Sequence, residues 1–359
     1  MKECDIIIPV WNQPEVTRDC VDSILKNMDL PYRLVIIDNG SGPETQSYLN
    51  GLRDKNNLNL LLIRNDENRG FVKAVNQGLK EVIGAPYVCI MNNDTIATAG
   101  WLSEMMEIMK ADPRIGFVNP SSNTSGQSPK KNESIDDYAA SLKRFKGKAQ
   151  ELYTCRGFCM LIRREVVDKL GPLDEIYDLG YFEETDYCRR AQQAGFRIVR
   201  AKAAYVFHRE NTSFKELKGN KILFERNEKI FFKRWGRPIR IAYFVDKISS
   251  GDKIDAIATD VARNGHQILI FLKKGLQWPV NLDHFDIRRF DLHPLFFGMI
   301  SIYKIFKRKN RKRLEMLLTD NRLFGIVLKG LGILHGSDVL INPNREELLK
   351  LLKEKSKYF

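Results

Sequence analysis

The sequence predicts an α/β fold in which a mostly parallel sheet is sandwiched by helices, followed by a smaller second α/β module. Three observations predict it. Short apolar runs rich in β-branched residues alternate with helix-like segments from Asp5 to Met91, polar or acidic clusters follow several of these runs, and the same alternation restarts after Gly236-Arg237-Pro238. Unbroken apolar runs mark strands buried on both faces, as in a helix-covered parallel sheet. With 359 residues, 43% of them hydrophobic, the chain can fill more than one core. The Gly-Arg-Pro stretch reads as a linker, so the expected domains are residues 1–236 and 237–359.

Taken in order, Ile6-Ile7-Ile8-Pro9-Val10 is the first strand, a helical stretch runs through Leu25, and Leu34-Val35-Ile36-Ile37 is the second strand. Leu60-Leu61-Leu62-Ile63, a helix over Phe71 to Val82, and Tyr87-Val88-Cys89-Ile90-Met91 continue the alternation. From Asn119 to Leu152 the chain turns polar, which predicts a long surface loop and a charged helix. Order returns from Cys155 to Trp235. The second module is expected to hold a strand over Ile239 to Val245, a helix over Ala256 to Arg263, a turn at Asn264-Gly265-His266, and strands at Ile268 to Leu272 and Asp338 to Ile341.

A net charge of +13 favours anionic partners: nucleotide phosphates, phospholipid headgroups, an acidic glycan or nucleic acid. Nucleic acid is disfavoured because no recognition motif is present. The six cysteines are scattered without zinc spacing and read as reduced thiols of a cytoplasmic protein. Met1-Lys2-Glu3 leads directly into a strand, leaving no room for a signal peptide's apolar core. No stretch approaches the roughly 20 apolar residues of a spanning helix. The expectation is a cytoplasmic protein, at most peripheral at the inner membrane surface.

In a helix-covered parallel sheet, ligands gather at the C-terminal ends of the strands. Four polar clusters are expected there: Asp38-Asn39-Gly40-Ser41, Asn68-Arg69-Gly70, Asn92-Asn93-Asp94 and Glu183-Glu184-Thr185-Asp186. Any one of them, taken singly, reads as a helix cap or turn. As an ordered set, with Ile-Ile-Pro-Val-Trp-Asn at 7–12, Asn-Arg-Gly-Phe-Val-Lys-Ala-Val-Asn-Gln-Gly at 68–78, Arg-Gly-Phe-Cys-Met-Leu-Ile-Arg-Arg at 156–164 and Phe-Glu-Glu-Thr-Asp-Tyr-Cys-Arg-Arg at 182–190, they resemble the family 2 glycosyltransferases, which have a GT-A fold. The resemblance covers about residues 3 to 235.

It implies an inverting, metal-dependent glycosyltransferase of hexosyl or rhamnosyl type, in polysaccharide biosynthesis. Such an enzyme moves sugar from a nucleotide-diphosphate donor to a glycan, lipid-linked or protein acceptor. Developing charge on the leaving diphosphate calls for a divalent cation, Mn2+ or Mg2+, on hard ligands. Asp94 is the implied ligand, with His208 a candidate second; Asn92 stands where the family has the first residue of an Asp-x-Asp motif, and Asn93 lies between them. The acceptor hydroxyl must lose a proton, and alignment with the family's Glu-Asp-x-Asp pattern gives Glu184 the catalytic-base position with Asp186 in support. The same acids can serve simply as a helix N-terminus suited to the macrodipole. Asp38 is expected at the nucleobase, with Pro9, Val10, Trp11 and Asn12 lining that pocket, Asn68, Arg69 and Gly70 near ribose and phosphates, and Asn92 and Asn93 also against the nucleotide sugar. UDP and dTDP sugars both remain open. The rival reading is a catalytically decayed transferase that binds carbohydrate or acts as a scaffold, motivated by Asn92 and by the incomplete second module.

The opening of the second module, from 240 to 275 with an echo at 335 to 342, resembles the N-terminal half of a GT-B glycosyltransferase. It is too short for a complete second enzyme, so a Rossmann-like accessory module is expected. Within it, His293-Pro294-Leu295-Phe296-Phe297-Gly298-Met299-Ile300 leads into Lys304-Ile305-Phe306-Lys307-Arg308-Lys309-Asn310-Arg311-Lys312-Arg313. Two readings stand: a core helix with a solvated basic end, or an apolar and cationic surface for an anionic membrane.

Overall fold

The structure is a computed structural model that describes residues 2–55, 58–210, 220–248, 250–307 and 313–357. The chain forms two compact units, Met1–Gln150 with Thr154–Ile230, and Glu151–Tyr153 with Phe231–Phe359.

The first sheet is built from β1 (Cys4–Val10), α1 (Pro14–Asn27), β2 (Tyr32–Asn39), α2 (Pro43–Arg53), β3 (Leu60–Asn65), α3 (Phe71–Lys80) and β4 (Tyr87–Met91). There follow β5 (Thr95–Ala97), α4 (Trp101–Ala111), β6 (Ile115–Ser121), α5 (Ile135–Leu142), β7 (Ala149–Leu152), β8 (Cys159–Arg163), α6 (Arg164–Leu170), α7 (Glu183–Gln193), β9 (Arg197–His208) and α8 (Asn220–Trp235). The strand order is β3-β2-β1-β4-β8-β6-β9-β5, with β7 paired to β9. β1 to β4 are mutually parallel, as the apolar runs predict. Beyond β4 the sheet is mixed, because β8 runs antiparallel to both β4 and β6 and β5 runs antiparallel to β9.

Burial explains the apolar runs. Ile6, Ile8, Leu34 and Ile36 are wholly buried in a core shared with Trp101, Met105 and Met109 of α4; each such side chain contributes about 1.5–3 kcal/mol relative to exposure. Helices α1 and α2 open on Pro14 and Pro43, in the first turn where an amide hydrogen has no helical partner.

Two expectations need correction. The stretch from Asn119 does not begin as a loop: Asn119, Ser121 and Ser122 are buried, and Asn119 and Ser121 end strand β6. Their polar groups are held internally, Asn119 Nδ2 donating to the Arg156 and Cys159 carbonyls at 3.1 and 2.5 Å. The cluster at 183–186 does not follow a strand either; it opens α7.

The second sheet comes from β10 (Arg240–Val245), α9 (Gly251–Arg263), β11 (Gln267–Lys273), β12 (Ile287–Leu292), α10 (Phe297–Phe306), β13 (Met316–Thr319), α11 (Arg322–His335), β14 (Asp338–Ile341) and α12 (Arg345–Ser356). All its pairings are parallel, in the order β12-β11-β10-β13-β14. Numbered by sequence this is 3-2-1-4-5, the doubly wound Rossmann order. α9 and α12 bury Ile254, Ile257, Val261, Leu348 and Leu352 against one face, while α10 and α11 bury Phe297, Ile305 and Leu328 against the other. α9 starts five residues before the helix expected from the sequence, at Gly251, where Ser250 Oγ accepts the Lys253 amide at 3.3 Å. No described helix is long and apolar enough to cross a membrane.

Candidate active site

A cavity of about 460 Å³ lies at the C-terminal ends of β1, β2, β4 and β9, within the size range of small-molecule sites. β1 supplies Pro9 and Val10, and Trp11 follows. β2 supplies Asn39, whose side chain organises the next loop. Asn39 Nδ2 donates to Asn68 Oδ1 at 2.8 Å and to the Gly70 carbonyl at 3.2 Å, and Asn39 Oδ1 accepts from Asn65 Nδ2 at 3.0 Å and the Arg69 amide at 3.1 Å. Gly70 has φ +84°, and a Cβ there would come within 2.8 Å of the Leu179 side chain, so the 68–70 and 178–182 loops meet at a distance only glycine permits.

The turn between β4 and β5 brings Asn92, Asn93 and Asp94 into the cavity wall. Antiparallel pairing of Thr95 with His208 carries the end of β9 alongside it, and His208 Nε2 lies 3.0 Å from Asp94 Oδ1. Asn123 grips His208 through both backbone groups, accepting its amide at 2.9 Å and donating to its carbonyl at 2.8 Å, while the imidazole stacks on Phe158 at 5.1 Å. Asn92 Oδ1 is buried without a hydrogen-bond partner. Asp94, His208 and this carbonyl oxygen are oxygen and nitrogen donors of the kind that suits Mn2+ or Mg2+ when substrate phosphates complete the shell. Among the described residues no cluster of three His, Cys, Asp or Glu side chains stands ready to hold a metal alone.

The first turn of α7 contributes Glu183 and Glu184 to the same cavity. Burial raises the Glu184 carboxyl above the ordinary glutamate value; the Glu184 and Thr185 amides, the Thr185 hydroxyl and the Arg156 charge act in the opposite sense. Glu183 is raised as well, by burial and then by the neighbouring Glu184 charge, and its Oε2 is buried with no partner. A carboxylic acid whose folded value is raised adds stability below its unfolded value and loses it as pH rises through the folded value. Glu183→Gln, which cannot ionise, is therefore expected to melt higher than the wild type at neutral and alkaline pH, with the two curves converging near pH 4. A variant that melts lower across the whole range would contradict this.

The approach to α7 is strained. Asp178, Tyr181 and Phe182 have φ of 54°, 72° and 73°, a region that costs a non-glycine residue about 1 kcal/mol or more. Wholly buried Asn227 of α8 holds this loop, its Nδ2 donating to the carbonyls of Tyr177, Gly180 and Tyr181 at 2.8, 2.7 and 3.3 Å. Asn227→Ala leaves these buried acceptors without that donor, at about 1–3 kcal/mol. It is expected to lower the melting temperature; an unchanged melting temperature would show that the loop is held by other contacts.

Of the residues singled out from the sequence, Pro9, Val10, Trp11, Asn68, Gly70, Asn92, Asn93, Asp94, Glu184 and His208 line this cavity; Asn12, Asp38, Arg69 and Asp186 do not. Asp38, expected at the nucleobase, is buried, with one oxygen ion-paired to Arg64 and the other accepting the Ser41 amide at 3.0 Å. Asn12 accepts the Gly42 amide at 2.9 Å and so braces the same turn. Arg69 is exposed. Asp186, expected beside the base, is wholly buried against Arg190 at 3.0 Å and the Tyr177 hydroxyl at 3.3 Å. Sequence reasoning missed Asn39, Arg156, Gly157, Tyr181 and Glu183 at the wall and Asn227 behind it. Asn39, Arg156, Gly157 and Glu183 stood inside quoted motifs; Tyr181 and Asn227 carried no local signal.

Residues 5–171 match glycosyl transferase family 2. A poly-beta-1,6-N-acetyl-D-glucosamine synthase of Staphylococcus aureus is 27% identical over 173 residues, covering 47% of this chain and 41% of that protein. The chain thus spans less than half the length of this curated relative. An uncharacterised protein of Sinorhizobium fredii is 25% identical over 228 residues, covering 58% of this chain and 24% of its own length. Among solved structures, a Pyrobaculum calidifontis mannosyltransferase in complex with GDP-Man and Mn2+ gives a TM-score of 0.46 at 19% identity, covering 59% of this chain and 58% of that one. Staphylococcus aureus TarS 1–349 in complex with UDP-GlcNAc gives 0.46 at 18%, covering 61% and 62%. The match to glycosyl transferase family 2 thus spans residues 5–171, just under half of the chain.

Proposed function

We propose that the first unit is an inverting glycosyltransferase that moves a sugar from a nucleotide-diphosphate donor to a hydroxyl of a glycan, lipid-linked or protein acceptor. The observation that carries this reading is the convergence of the Asp94–His208 pair and the Glu183–Glu184 pair on one cavity. The Glu184 carboxylate takes the proton of the acceptor hydroxyl as its oxygen bonds to the anomeric carbon and the bond to the diphosphate oxygen breaks. A single displacement of this kind inverts the centre. A raised carboxyl value suits this task, since a base poised nearer neutrality accepts the proton more readily. Asp94, His208 and Asn92 Oδ1 are the residues that would hold Mn2+ or Mg2+, which when bound neutralises charge on the departing diphosphate. Trp11 offers a flat face to the nucleobase, with Pro9 and Val10 beside it. Asn68 and Gly70 present polar backbone and side-chain groups to ribose and phosphate. Asp38 and Asp186 act as positioning residues, Asp38 through the 38–42 turn and Asp186 through the first turns of α7.

The test is a screen of UDP-, dTDP- and GDP-sugars, each with and without Mn2+, read by thermal shift and nucleotide release. Stabilisation by one donor class together with release supports the reading and names the donor. Stabilisation without release under any acceptor favours a sugar-nucleotide-binding protein derived from a transferase. Failure of every donor to bind overturns both.

A further inference from the structure

The second unit exposes more large apolar surface than its core explains. α10 turns Phe297, Ser301 and Ile305 inward, leaving Met299 and Tyr303 63% and 56% exposed; Phe306 is also exposed, and Leu295 just before the helix is 83% exposed. α11 likewise buries Leu328 and leaves Leu323 and Ile326 78% and 59% exposed. The two helices cover the same face of the five-stranded sheet and touch, with the Phe297 and Phe324 rings 6.0 Å apart. Their outward sides therefore lie next to each other. A contiguous patch of this kind on a water-exposed surface marks a place where something binds.

Charge selects what binds. From Leu292 to Leu314 the sequence holds seven Lys or Arg and no Asp or Glu, and from Asn321 to Ser337 it holds Arg322 and Lys329 with no acid. Lys307 and Lys329 are exposed, and Lys307 Nζ sits 5.3 Å over the Tyr303 ring. Residues 308–312, where the basic run continues, lie outside the described residues. We propose that the α10–α11 face is a docking surface for an anionic lipid bilayer, its apolar side chains entering the headgroup boundary and its lysines meeting lipid phosphates. A second copy of the chain fits poorly, because face-to-face association would oppose two basic rims with no acid in either segment to offset them. A bilayer accommodates both halves of the patch, since apolar burial and attraction to anionic headgroups add. The sheet-facing side of α10 is core, as one sequence reading held, and the outward side supports the other.

Sedimentation of the full chain with vesicles tests this independently of any transfer activity. Binding is expected to vesicles of phosphatidylcholine with phosphatidylglycerol and to be weak with phosphatidylcholine alone. Added salt is expected to weaken it. Lys304→Glu with Lys307→Glu should lower the partition by about tenfold or more, from about 1 kcal/mol per basic residue near the surface. Met299→Asp with Ile326→Asp should also abolish binding; both positions are exposed, so the melting temperature should hold. The proposal is overturned if no partition onto anionic vesicles occurs, or if partition survives both double variants. It is also overturned if the apolar variant removes a concentration-dependent self-association while lipid binding is absent, which would assign the face to a second copy.

Discussion

Glu184→Gln is expected to reduce sugar transfer by about 10²–10⁴-fold, the usual worth of a positioned general base, while donor affinity stays nearly unchanged. The substitution keeps the size of the side chain and an oxygen able to accept from the amides of the first turn of α7, but removes the group that takes the proton. The wild-type rate should rise with pH through a value above that of an ordinary glutamate, because burial raises the Glu184 carboxyl; below it the base is protonated and idle. That limb should vanish from the residual activity of the variant. Asp186→Asn provides the contrast. Its carboxylate is wholly buried against Arg190 and Tyr177, so its loss should lower the melting temperature and leave the pH limb in place. Wild-type turnover in Glu184→Gln would remove the base assignment, and an unaltered limb would move it to Glu183, the adjacent carboxylate in the cavity wall.

The legible and illegible parts of this molecule divide along chain distance. Ile6 to Val10, Leu34 to Ile37 and Tyr87 to Met91 announced themselves as strands because unbroken apolar runs have few other fates, and β1, β2 and β4 contain them. Trp11 after β1 and the polar residues after β4 reached the cavity because parallel strands end on the same side of the sheet. The insertion of β8 antiparallel between β4 and β6 had no such signal, since strand order is decided by long-range packing. Asp38 sits in a motif as conspicuous as that of Asp94, yet Arg64 reaches it from β3, 26 residues away, and occupies its carboxylate. Asn227 lies in a helix 46 to 50 residues beyond the loop it holds. A polar residue in such a helix reads as solvent-facing until the fold supplies its partners. In the second unit the runs legible as strands, Ile239 to Val245, Ile268 to Leu272 and Asp338 to Ile341, correspond to β10, β11 and β14, whereas β12 and β13, which complete the parallel order 3-2-1-4-5, carried no signal of their own.

Asp94→Asn is expected to abolish the Mn2+-dependent part of donor binding and to lower transfer by about 10²-fold or more, the equivalent of several kcal/mol of charge stabilisation. The geometry gives the reason. Register between β5 and β9 sets His208 opposite Thr95, next in sequence to Asp94, so an imidazole nitrogen and a carboxylate oxygen come within 3.0 Å from strands distant in sequence. Asn123 fixes the His208 backbone from the other side. Such a pair can hold a hard cation or can simply form a hydrogen bond between Asp94 and His208, and thermal shift separates the two. If the pair is a cation site, UDP, dTDP or GDP should stabilise the wild type more with Mn2+ than without, and Asp94→Asn should lose that increment while retaining the nucleotide's own effect. Asn92→Asp supplies the converse test. It places a second carboxylate where an unpartnered, buried amide oxygen now stands, and should lower the Mn2+ concentration needed for half-maximal stabilisation. An equal response of wild type and Asp94→Asn to Mn2+ would leave the pair a structural contact and move any cation elsewhere.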